Sequence, residues 1–106
     1  MLIRDKDKQT LQRIFSEVSI PIEVWAYGSR VNGTAHEGSD LDLVVRSRNL
    51  APIPTDVYCE LCEKIKESNI PILVELRDWA HLPESFHANI EMQYEPFFDK
   101  RKRYAA

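Results

Sequence analysis

The sequence predicts an α/β fold, a small mixed β-sheet with helices packed on it. Three observations carry that expectation. Leu11, Ile14, Phe15 and Val18 recur at helical spacing, with Lys, Gln and Arg between them. Short runs rich in strand formers follow: I-E-V-W-A-Y, L-D-L-V-V and I-L-V-E-L-R. Between the second and third lies another helical stripe, Val57, Tyr58, Leu61, Cys62 and Ile65. Helices interleaved with strands in this way make a layered unit.

Taken in order, the first helix stops at Pro21 and the first strand runs from Ile22 into Gly28. Ser29 to Asn32 form a short helical turn closed by Gly33, and T-A-H-E-G is a loop. The second strand, from Leu41, fades into R-S-R-N. P-I-P with Thr55 and Asp56 opens the second long helix, since Pro suits a first turn and Thr or Asp suits a cap. Asn69 and Pro71 end it, and the third strand follows. Asp78 to His81 turn the chain, and Pro83 opens a last helix anchored by Phe86 and Ile90. The end, E-P-F-F-D-K-R-K-R-Y-A-A, reads as an apolar stretch and then a solvated basic tail over about 99–106.

A chain of 106 residues suits one domain, 1–106. Its net charge of −3 argues against a general affinity for nucleic acid, which needs a basic face. A nucleotide is different, because a few donors and metal ions can meet its charge. No apolar run is long enough to span a bilayer, and the N-terminus lacks a signal-type apolar block. The two cysteines do not indicate a disulfide framework. Cytoplasmic residence without a membrane partner is the expectation. Cys59 and Cys62 fall inside an amphipathic helix and read as packing rather than zinc or redox chemistry. His36, His81 and His87 form no spaced set, and Trp25, Tyr27 and Trp79 read as core or lid aromatics.

The informative stretch is A-Y-G-S-R-V-N-G-T-A-H-E-G-S-D-L-D-L-V-V. Asp is depleted in strands, and an ionised carboxylate is costly to bury unpaired. Residues two apart share a strand face, so Asp40 and Asp42 project together while Leu41, Leu43 and Val45 enter the core. Their Cα atoms would be roughly 6–7 Å apart, close enough to converge on a divalent cation. Magnesium typically takes one or two carboxylates and completes its shell with water and substrate phosphate. Gly28 at the strand end permits a sharp turn and a close ligand approach, and Ser29 with the following backbone can face an anion. Gly33 would let the chain leave that turn. The bland alternative pairs the aspartates with Arg30, Arg46 or Arg77.

At Gly28, Ser29, Arg30, Gly33, Ser39, Asp40, Asp42 and Leu43 the chain resembles the minimal nucleotidyltransferases of the DNA polymerase β-like superfamily. The resemblance runs from the first helix to the last. It implies the polymerase-β-like fold, two Mg²⁺ ions and a nucleoside triphosphate, with ATP and adenylyl transfer favoured. Asp40 and Asp42 would be catalytic metal ligands, and Glu75 the third, where the family more often has Asp. Asp78 competes for that role but suits a turn or cap. Gly28, Ser29, Arg30, Gly33 and Ser39 would contact the nucleotide, although Arg30 fits a salt bridge to a strand carboxylate equally well. The resemblance further implies a helical HEPN-type protein partner in a toxin–antitoxin pair, with the acceptor hydroxyl on that partner. The alternative is a non-catalytic module that docks and neutralises such a partner. A homodimer or hetero-oligomer is expected, since a small chain can expose an apolar face.

Overall fold

The computed structural model describes residues 1–36 and 38–101. Its elements are α1 (Asp5–Ser16), β1 (Ile22–Tyr27), α2 (Ser29–Asn32), β2 (Leu41–Ser47), α3 (Thr55–Glu67) and β3 (Val74–Asp78). A 3-10 turn (Trp79–His81), α4 (Glu84–Met92) and β4 (Glu95–Asp99) complete the chain. The four-stranded sheet has the order β3-β2-β1-β4. β1 runs antiparallel to β2 and β4, and β2 runs parallel to β3, so the sheet is mixed.

Strand parity divides the sheet into two faces. Ile22, Val24, Ala26, Leu41, Leu43, Val45 and Leu76 point to one side, where Leu11, Ile14 and Phe15 of α1 and Leu61 and Ile65 of α3 close over them. Each large aliphatic buried there contributes about 1.5–3 kcal/mol through lost contact with water. The other side carries Trp25, Tyr27 and Val44, against which Trp79, Ile90 and Phe86 pack. β1 is therefore buried at all six residues, more fully than a strand with one wet face.

Two local readings of the sequence are corrected. Pro54 rather than Thr55 occupies the α3 cap position, and no side chain caps that helix. The stretch read as an apolar segment and solvated tail instead forms β4, pairing with β1 through a register shift between Val24 and Trp25. Lys100 is buried, and its ammonium donates to the carbonyls of Ser16 and Val18. Arg101 donates to Glu23 at 2.8 Å. The remainder of the expected tail, residues 102–106, lies outside the described residues.

Both sheet edges carry protection. Along β3, the Tyr58 hydroxyl of α3 donates to the Leu76 carbonyl at 2.5 Å. Burial pushes the Tyr58 phenol up to about 12, so it remains a donor. Along β4, Pro96 has no N–H to offer a further strand.

Candidate functional site

Tyr27 on β1, Asp42 on β2 and Glu75 on β3 are register partners, forming one row across the sheet. Asp40 lies just before β2 and is exposed, while Asp42 is half-buried. The parity argument also separates Glu75 from Asp78. Asp78 is the register partner of Val45 and faces the helix-covered side. There it is buried and accepts hydrogen bonds from the backbone N–H of Ile53 at 2.8 Å and of Ala80 at 3.2 Å. It is a cap and a brace, on the wrong face to join Asp42.

Gly28 makes the row possible. It sits at φ +80° and ψ −158°, a region essentially closed to residues with a Cβ. A Cβ there would lie 2.4 Å from Asp42 Oδ2, so the turn and the carboxylate touch only because the side chain is absent. Gly33 ends α2 in the left-handed conformation, φ +85°, as its place in the sequence requires. Ser29 opens α2 beside Gly28.

Arg30 and Ser39 are engaged within the fold. The Arg30 side chain is buried, with Nε and Nη2 donating to the Ser39 carbonyl at 2.9 and 2.7 Å, and Nη1 donating to the Leu2 carbonyl at 2.7 Å. Ser39 Oγ accepts from the His36 N–H at 3.0 Å. These bonds fix the loop that delivers Asp40. Sequence alone offered Arg30 a phosphate or a carboxylate, and the carbonyls that claim it come from remote parts of the chain.

The electrostatics of the row are unbalanced. Arg46 pairs with Glu23 at 2.6 Å, and Arg77 pairs with Glu75 at 3.3 Å. Among the described residues neither Asp40 nor Asp42 has a cation within salt-bridge distance. Burial, and then repulsion from Glu75, raise the pKa of the Asp42 carboxyl, partly offset by nearby Arg77. Tyr27 is also pushed up, by burial first and then by Asp42. Its hydroxyl is buried, and the Arg77 guanidinium beside it opposes that rise. Sequence reading counted Tyr27 as a core or lid aromatic; its place at the strand end directly before Gly28 was the signal for its position beside Asp42.

Among the described residues no group of three or more His, Cys, Asp or Glu side chains is gathered closely enough to cage a metal alone. The donor chemistry nevertheless suits a hard cation shared with phosphate. Asp42 and Glu75 present carboxylate oxygens side by side, and a cation would relieve the repulsion between them. Cys59 is exposed and Cys62 packs at the rim of the core, both as free thiols. Among the described residues no helix is long and apolar enough to cross a membrane.

The family model described as "Polymerase beta, Nucleotidyltransferase" matches residues 9–103. The "Probable protein adenylyltransferase MntA" of Haemophilus influenzae is 34% identical over 100 residues, a match covering 94% of this chain and 86% of the relative. Among solved structures, a toxin–antitoxin with AMP-PNP superposes with a TM-score of 0.68 at 18% identity, covering 95% of this chain and 77% of the other. The toxin–antitoxin MntA–HepT superposes at 0.64 and 12% identity, covering 94% and 76%. At these identities the solved structures speak to the fold.

Proposed function

This chain belongs to the polymerase beta nucleotidyltransferase family, and on that premise we propose that it transfers AMP from ATP to a hydroxyl on a helical HEPN-type partner, acting as the antitoxin of the pair. The observation that carries the reading is the half-buried Asp42, packed on Gly28, beside Glu75 and with no cation at salt-bridge distance among the described residues. A resident structural salt bridge would have supplied a guanidinium. The relatives support the choice of nucleotide and acceptor: one bears the name protein adenylyltransferase, one structure holds AMP-PNP, and another pairs MntA with HepT. Cytoplasmic residence, where ATP is plentiful, belongs to the same reading.

Asp40, Asp42 and Glu75 would hold Mg²⁺ together with the triphosphate. The chemistry such ions supply when bound is neutralisation of phosphate charge and a lowered pKa for the acceptor hydroxyl. The Gly28–Ser29 turn would hold the β- and γ-phosphates, with Gly33 shaping its exit. Arg30 and Ser39 act indirectly by fixing the loop that presents Asp40. The acceptor oxygen bonds to the α-phosphorus as the bond to the bridging oxygen breaks. Pyrophosphate leaves, and the hydroxyl proton passes to solvent or to Glu75, the carboxylate on the edge strand β3.

The test is incubation of the chain with the product of a neighbouring reading frame, α-labelled ATP and Mg²⁺. Label on the partner that disappears with Asp42→Asn is the expected result. A tight complex that never acquires label would overturn the catalytic reading in favour of the docking module.

A further inference from the structure

Arg77 stands directly behind the acidic row. On the site face β2 presents Asp42 and then Val44, and their register partners on β3 are Glu75 and Arg77. Asp40 precedes Asp42 at the other end, where Gly28 touches the Asp42 carboxylate. A ligand that meets the Gly28 turn therefore reaches the carboxylates from the front, with Arg77 at their back. Resting on the nucleotidyl-transfer reading, we propose that Arg77 is a positioning residue: braced by Tyr27 and Phe86, it holds the Glu75 carboxylate in the row, ready for the cation.

Three contacts surround the guanidinium. Its Nη2 donates to Glu75 Oε2 at 3.3 Å. The buried Tyr27 hydroxyl faces it from two strands away. The Phe86 ring of α4 lies with its centroid 6.0 Å from the central carbon, and Tyr27 and Phe86 themselves meet edge-on at 6.0 Å between centroids. An isolated pair of half-exposed side chains contributes little, because both must give up rotamer freedom to hold one geometry. Here one partner rests on two aromatics, so the planar fork of Arg77 is aimed in advance.

Glu75 is the member of the row that needs such help. Asp42 is half-buried and packed on Gly28, whereas Glu75 stands on an edge strand with its side chain 40% exposed. Glu also has one more rotatable bond than Asp, and fixing a free torsion costs conformational entropy. Left alone, its carboxylate would spread past the β3 edge into solvent, away from the Asp42 charge that repels it. The pair with Arg77 engages Oε2 and draws the group inward, and a carboxylate has a second oxygen to offer a cation. Partners that orient a ligating side chain in this way raise cation affinity without touching the cation.

Calorimetric titration of the full chain with AMP-PNP, once in excess Mg²⁺ and once in EDTA, tests the assignment without turnover. The ratio of the two affinities reports the cation's contribution, and any direct contact between Arg77 and phosphate cancels in it. Arg77→Met is expected to lower that ratio about tenfold and Tyr27→Phe about threefold, with nothing further lost when the two are combined. In a Glu75→Asp background, which removes the extra torsion, Arg77→Met should change the ratio less than about twofold. A ratio that rises in Arg77→Met overturns the proposal, because the guanidinium would then be competing with the cation. Equal losses with and without Glu75→Asp overturn it as well, since Arg77 would be acting without Glu75. An unchanged ratio with a lowered melting temperature assigns Arg77 to the fold alone and likewise overturns it. Each of these three outcomes leaves the transfer reading intact, whereas wild-type chain that binds AMP-PNP no better in Mg²⁺ than in EDTA overturns that reading too.

Discussion

Glu23 and Asp42 stand on the same face of the same sheet and meet opposite treatment. Glu23 is buried between two guanidinium groups, Arg46 at 2.6 Å and Arg101 at 2.8 Å. Arg46 is in turn held over the rings of Trp25 at 3.9 Å and Trp79 at 4.5 Å. Asp42, at the other end of the face, has a carboxylate neighbour and no ion pair among the described residues. The fold evidently can neutralise a buried acid with its own arginines. Where it does not, the charge is left for something that arrives from outside.

The largest effect that could break this contrast is on transfer. Asp42→Asn should lower partner labelling by roughly 10²–10³-fold, as loss of a preorganised electrostatic group does. At neutral pH it should also raise the melting temperature of the unliganded chain, because it removes an uncompensated charge. A variant that loses stability instead would make Asp42 a second Glu23. The complementary change, Arg46→Met, should cost about 3 kcal/mol in urea unfolding by stripping Glu23 of one partner, with Arg101 limiting the damage. Labelling per folded molecule should be retained.

Gly28→Ala tests the contact between turn and carboxylate. The positive φ alone should cost about 1–3 kcal/mol, and the clash with Asp42 should weaken triphosphate binding besides. The smallest effect concerns pH. The Asp42 pKa lies above its ordinary value of 3.8, so its contribution to stability is fully present below that pH and is lost as pH rises through the folded value. Wild-type melting temperature should therefore fall relative to Asp42→Asn across that window. Saturating Mg²⁺ and AMP-PNP should reverse the difference. Parallel curves for the two proteins would remove the electrostatic distinction between the two ends of the face.

Much of this architecture was legible because it is periodic. Alternation in L-D-L-V-V placed Asp42 opposite its apolar neighbours, and the glycines at 28 and 33 marked backbone turns that both have positive φ. The third strand was legible too, and its parity separates Glu75 from Asp78. β4 was not, since E-P-F-F-D contains a proline, and its pairing depends on β1, far away in sequence. The backbone partners of Arg30 were hidden for a similar reason. Its local setting beside Gly-Ser suggests phosphate, while its partners Leu2 and Ser39 are brought to it only by the fold. The nearness of Arg77 to the Tyr27 hydroxyl was equally invisible, because it depends on β3 lying two strands away from β1.

Tyr58 and Pro96 guard the two outermost strands, and their effect reaches beyond one molecule. An open strand invites a second copy to extend the ribbon, the first step towards stacked, insoluble assemblies. Here one border has a carbonyl already engaged by a phenol, and the other is interrupted by an imide nitrogen. A crowded solution of this protein is thereby steered away from backbone-to-backbone stacking, which leaves side-chain surfaces as the route by which it meets other chains.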